Sequence, residues 1–185
     1  MNILRFCFLA LVLVGCTTIE QSTRITTNLQ AKEYNSISAR YMNRPTFSAI
    51  EKMSDSSTVL AISRDNYGNT ASPLRFSKDN VSGYISLIDK YFKWEKLAMS
   101  RGDAITKEIG KENSWGNTIS GSFKFTFHSG NSAIHYLSIS FCAAGTCLDD
   151  QALYFDSKNT QILKELLLQL SSGAVNTKSI NSVYK

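Results

Sequence analysis

The sequence predicts an α+β fold: a mostly antiparallel sheet, built from a hairpin and a three-stranded meander, with two helices packed on one face. Two helical patterns and one alternating stretch carry that prediction. Val81, Tyr84, Ile85, Ile88, Tyr91 and Phe92 recur at spacings of three and four, the period of a helix with one apolar face. Ile162, Leu163, Leu166, Leu167 and Leu170 do the same near the C-terminus. Between them Phe123, Phe125 and Phe127 alternate with Lys124, Thr126 and His128, the signature of a strand buried on one side.

Taken in order, residues 17–31 (TTIEQSTRITTNLQA) are rich in Thr, Gln, Asn and Ser and read as a flexible tether. In residues 32–53, Tyr34, Ile37 and Tyr41 hint at helical spacing, but Pro45 breaks whatever precedes it. Thr58–Ser63 is a predicted strand. A turn at Asp65-Asn66-Tyr67-Gly68-Asn69 and a second strand over Leu74–Ser77 complete a hairpin. Asp79 is placed to cap a helix over residues 80–100 that ends near Gly102. At 100° per residue Glu95 falls inside that helix's apolar arc, between Tyr91 and Ile88.

Residues 119–128 and 133–142 form the next hairpin. A three-residue loop would pair Phe123 with Leu137 and Ile119 with Phe141, keeping the apolar set on one side, with Gly130 or Asn131 at positive φ. A turn between Cys142 and Cys147 leads to a third strand ending near Phe155. Asp156 or Ser157 then caps the last helix and Gly173 ends it. The tail, residues 174–185, is polar apart from Ile180, Val183 and Tyr184, and reads as an edge strand or a loose end.

The first sixteen residues, MNILRFCFLALVLVGC, have a different character. Arg5 precedes an apolar run, Phe6–Val14, that falls short of the roughly 20 residues a spanning helix needs. A small residue, Gly15, then stands before Cys16. These are the three regions of a secretory signal in order. Leu13-Val14-Gly15-Cys16 resembles the lipobox of bacterial lipoproteins. The resemblance implies cleavage after Gly15 and acylation of Cys16. At about 0.8 kcal/mol per buried methylene, two or more acyl chains attach a protein stably. Thr17 stands where an inner-membrane retention signal would usually have Asp, which implies the outer membrane facing the periplasm. The expected layout is a signal peptide over 1–15, a lipidated N-terminus and tether over 16–31, and one α+β domain over 32–185.

Losing residues 1–15 removes Arg5 and no acidic residue, so the net charge falls from +5 to +4. The basic residues are scattered, which argues against a nucleic-acid partner. Of the four cysteines, processing discards Cys7 and acylates Cys16. Cys142 and Cys147 remain, and in an oxidising compartment they read as one disulfide.

Candidate chemistry is sparse. Zinc would need four ligands at roughly 2 Å from one ion, whereas the expected register sends His128 and His135 to opposite faces. The Cys142–Cys147 spacing is not the C-x-x-C of redox enzymes. No G-x-S-x-G elbow occurs, and Gly102, Gly110 and Lys111 lack phosphate-loop spacing. His135 reads as a histidine at the core's edge. Glu95, beside Trp94, is the one carboxylate whose burial would suit a general acid, with Asp149 and Asp150 the only adjacent acid pair. Trp115, next to Gly116 in a polar stretch, reads as an exposed contact residue.

No catalytic residue, metal or cofactor is therefore expected. The reading is a non-enzymatic outer-membrane lipoprotein that binds an envelope protein or cell-wall component. The alternatives are a protective lipoprotein (hydrolase inhibition, toxin immunity or exclusion) and a cell-wall enzyme using Glu95.

Overall fold

A computed structural model describes residues 17–64, 72–115 and 121–175. The chain is α+β, and among the described residues all strand pairings are antiparallel. The strands, however, divide into two sheets rather than one. The smaller sheet has the order β1-β4-β5-β6, from β1 (Ile19–Ile25), β4 (Thr46–Met53), β5 (Thr58–Arg64) and β6 (Leu74–Ser77). The larger has the order β3-β2-β11-β9-β8-β7. It comprises β2 (Ala31–Asn35), β3 (Arg40–Arg44), β7 (Ile105–Ser114), β8 (Gly121–Ser129), β9 (His135–Ala143) and β11 (Leu153–Phe155), with the short β10 (Thr146–Cys147) also beside β9. The helices are α1 (Val81–Arg101) and α2 (Ser157–Ser172).

The inner faces of both sheets and both helices share one core. Phe123, Phe125 and Phe127 of β8 and Leu137 and Ile139 of β9 point into it, under Tyr84, Ile88 and Tyr91 of α1. Phe76 of β6 meets Phe123 at 4.7 Å between ring centroids, which joins the two sheets. Each such side chain contributes about 1.5–3 kcal/mol when fully buried. At the bulge between Glu108 and Gly110, Ile109 is buried and α1 comes close: a Cβ on Gly110 would lie 2.8 Å from Leu87 Cδ2.

Several expectations change. The stretch read as a tether is an edge strand, because β1 pairs along β4 from Ile19↔Met53 to Ile25↔Ser48. Thr18 and Ser54 hold its start, through Thr18 N–H to Ser54 Oγ at 2.9 Å and Ser54 N–H to Thr18 O at 2.9 Å. The helical hint in residues 34–41 gives way to the β2–β3 hairpin, where Tyr34 faces Tyr41 directly across the strands. Asn35 supplies the turn by accepting from the N–H groups of Ile37 and Ser38.

Asp79 does not cap α1. It lies in a single 3-10 turn, Lys78–Asn80, where its own N–H donates to Ser77 Oγ. β7 was not expected at all. The β8–β9 register is Phe123↔Phe141 and Phe127↔Leu137, so the loop holds five residues, not three. Asn131 makes that longer loop, its side chain accepting from Ala133 and Ile134 N–H, and neither Gly130 nor Asn131 has positive φ. The shift is even-numbered, so the apolar set stays on the inner face as one-sided burial demands. The third meander strand is split into β10 and β11 by a 3-10 turn over Asp149–Gln151. Asp156 caps α2 as expected, accepting from Asn159 N–H, and Gly102 (φ 70°) and Gly173 (φ 74°) end the helices.

Candidate functional site

Glu95 lies on α1, buried as its position in the apolar arc demands, and both of its carboxylate oxygens are engaged. The Tyr91 hydroxyl donates to Oε1 at 3.0 Å, and the Ser157 hydroxyl donates to Oε2 at 2.9 Å. Ser157 is the first residue of α2, where unpaired N–H groups favour negative charge. Burial, reinforced by the Glu95 charge, raises the Tyr91 phenol well above its ordinary value and keeps it in the donor form. The carboxylate thus fastens one helix to the start of the other.

Trp115 is not an exposed loop aromatic. It is partly buried just beyond β7, where its N–H donates to Arg75 O at 3.2 Å. The Arg75 guanidinium sits 5.8 Å above its ring and pairs with Glu51 at 2.6 Å. Trp115 therefore ties the free edge of the small sheet to the end of the large one; Gly116 lies outside the described residues, as do Cys16, Ile119, the turn at 65–69 and residues 176–185.

The Cys142 and Cys147 sulfurs are 1.99 Å apart, across directly paired positions of β9 and β10. Asp149 accepts from Lys124 at 2.6 Å and Ser140 at 2.7 Å. Burial works to raise the Asp149 carboxyl, but these bonds outweigh it and hold the group below its usual range. His135 is buried against Phe127, with no hydrogen-bond partner at Nε2, while His128 lies on the opposite, outer face. Among the described residues no group of three or more His, Cys, Asp or Glu is placed to hold a metal ion, and no helix is long and apolar enough to cross a membrane.

The feature that sequence reasoning missed is on the outer face of the large sheet. Tyr41 of β3 packs on Tyr34 (5.2 Å), Tyr136 (4.3 Å), Tyr154 (4.8 Å) and His128 (5.7 Å). In pairing order four strand-to-strand steps separate β3 from β8, about 19 Å for a flat sheet at ~4.8 Å per step. The observed contact therefore requires the β2–β3 hairpin to leave the sheet plane and fold over its outer face. Burial first, then the neighbouring phenols Tyr154, Tyr136 and Tyr34, push the Tyr41 pKa up to about 12. The latch leaves Ile37 at the hairpin tip 97% exposed and Tyr34 48% exposed, with Met42 also open to solvent. A detectable signal was present: Tyr34 and Tyr41 flank an Asn-initiated turn, and Tyr136 and Tyr154 stand on strands at polar-face positions.

Comparison with protein-family models, with curated proteins and with solved structures finds no match for this chain.

Proposed function

We propose that the protein is a lipid-anchored, non-enzymatic binding module of the bacterial cell envelope. In this reading Cys16 holds it in the outer membrane, the domain faces the periplasm, and the β2–β3 hairpin recognises an envelope protein or cell-wall component. The lipobox-like Leu13-Val14-Gly15-Cys16 supports the address. The observation that carries the binding role is the latched hairpin. A loop stiffened by stacked rings and exposing Ile37, Tyr34 and Met42 loses little freedom on binding, and preorganisation of that kind raises affinity. The full engagement of Glu95 favours a fastening role over an acid catalyst.

The anchor would act without slack. Thr17 and Thr18 are hydrogen-bonded to Asp55 and Ser54, so acyl chains on Cys16 would hold the β4–β5 turn against the bilayer. Two experiments test the reading. Metabolic labelling with an alkyne-tagged fatty acid should mark the wild-type chain and not Cys16→Ser; an unlabelled wild type overturns the lipoprotein assignment. A photo-crosslinking residue at Ile37 should give a discrete adduct in native envelopes, absent from a control position at Glu165 on α2 and lost when Tyr41→Ala unlatches the hairpin. Equal labelling at both positions would refute recognition through the hairpin.

A further inference from the structure

A second surface, remote in sequence from the hairpin, has the composition of a ligand site. The C-terminal half of α1 and the start of β7 enclose a cleft of about 210 Å³. Trp94 and Phe127 form its aromatic base, meeting edge to face at 6.0 Å. Leu97 and Ile105 form its walls, and both remain unusually open for large apolar side chains, at 55% and 43% exposure. Among the described residues nothing covers either wall residue, although each stands beside a void lined by rings.

The charges at the rim are not balanced. Asp103 is already paired with Arg101 at 2.7 Å. Lys90 sits 5.0 Å from the Trp94 ring centre and donates to the Ile109 carbonyl at 2.8 Å, which commits one of its protons. Lys107 approaches the same ring at 5.5 Å, and among the described residues its ammonium has no anionic partner. Two cations therefore flank one indole, of which Lys107 lines the cleft itself, and among the described residues the one carboxylate lining that cleft, Asp103, is paired with its own arginine. Such a rim attracts an anion, while the base and walls accept hydrocarbon or an aromatic face. The volume lies below the roughly 300–1,000 Å³ of sites for drug-sized ligands, so the occupant is short.

From this complementarity we infer that the Trp94 cleft binds a small amphiphilic carboxylate, its short apolar body against Trp94, Phe127, Leu97 and Ile105 and its carboxylate on Lys107. The site is independent of the lipid anchor and of the hairpin. It uses none of the residues assigned to either.

Trp94 is a built-in reporter, because the chain has only two tryptophans and Trp115→Phe leaves Trp94 alone. Titration of that variant with octanoate, below its micellar range, should give a saturable change in emission. Octan-1-ol and octylammonium should bind at least tenfold more weakly, and acetate, which has no apolar body, should give no change. Lys107→Gln should weaken octanoate binding at least tenfold while leaving octan-1-ol unaffected, and Leu97→Asp should abolish the response. Both positions are exposed, and unchanged far-UV circular dichroism and melting temperature would show that each variant folds. Two-dimensional amide spectra supply a second readout, with shifts expected at Ile105, Lys107 and Ala98. A response that never saturates, or equal affinities for octanoate, octan-1-ol and octylammonium, would overturn the inference by reducing the cleft to a patch of general apolar adsorption.

Discussion

Removing the Glu95 carboxylate should separate α1 from the start of α2. In Glu95→Ala the Tyr91 hydroxyl is left in the core without its acceptor and Ser157 loses its partner. Hydrogen bonds to charged groups contribute about 1.5–3 kcal/mol each. Two such bonds, one buried at Tyr91 and one partly solvated at Ser157, put the loss at roughly 3–5 kcal/mol, which for a domain of this size lowers the melting temperature by about 6–20 °C. Glu95→Gln should cost far less. Its amide oxygen still accepts from Tyr91, and its NH₂ can donate to a lone pair of the Ser157 hydroxyl, so only the charge assistance is lost. Urea unfolding followed by circular dichroism measures both variants. Tyr91→Phe, alone and combined with Glu95→Ala, closes a double-mutant cycle that should show at least about 0.5 kcal/mol of coupling. The fastening argument fails if Glu95→Ala costs less than about 1 kcal/mol, or if the cycle is additive.

Three further outcomes follow from the geometry. Tyr41→Ala should lower amide protection over Arg40–Arg44 by tenfold or more while leaving α1 and α2 unchanged, since stacked rings contribute about 0.5–1.5 kcal/mol per pair beyond their area; Tyr41→Phe, which keeps the ring, should retain protection in hydrogen exchange. Cys142→Ser with Cys147→Ser should cost about 2 kcal/mol by the chain-entropy estimate for so short a loop, and a much larger loss in thermal unfolding would show that the clip does more than close its turn. Burial lowers the His128 pKa from its ordinary 6.5, so the native state resists a proton that the unfolded chain accepts. Its stabilising contribution is therefore present above about pH 6.5 and is lost as the pH falls toward the folded-state value, a slope that His128→Gln should remove from the pH dependence of unfolding.

The sequence was most legible where a single period ran uninterrupted. The stripe of Val81, Tyr84, Ile88 and Tyr91 marked α1 almost to the residue, and Asp156 and Gly173 marked the ends of α2. Alternation placed Phe123, Phe125 and Phe127 on the inner face even though the loop was two residues longer than expected, because only odd shifts turn a strand over. Legibility failed where burial is asymmetric or borrowed from elsewhere. β7 buries Ile109 but few of its other residues, so its sequence lacks an apolar rhythm. β1 is mostly exposed, and its polar residues read as a tether because an edge strand can be solvated while its backbone is paired along one side, here with β4. Glu95 stands out in the sequence as an anomaly within the apolar arc, and it is buried there. Its role needed the partner Ser157, 62 positions away, which no local pattern contains.

The hairpin shows how a site can escape both kinds of reading and still be determined by the chain. β2 meets β11 through a single paired position, Tyr154↔Lys32, so backbone hydrogen bonds give the hairpin little purchase on the large sheet. The Lys32–Asp156 ion pair, at 3.5 Å and partly solvated, adds little more. The Arg64–Glu33 ion pair, at 3.1 Å, ties β2 to the small sheet, and what lays the hairpin over the outer face of the large sheet is the stack of Tyr41 on Tyr136 and Tyr154. The attachment is therefore made by the same ring cluster to which the half-exposed Tyr34 belongs. A partner that covers Tyr34 buries more of that cluster and must stabilise the latched hairpin by its own binding energy, since it engages that state and not the released one. If the hairpin is the recognition surface, recognition and local stability are linked at Tyr41: protection of Arg40–Arg44 should rise on partner binding, and a variant that depopulates the latched state should weaken the partner in proportion to the latched fraction it loses.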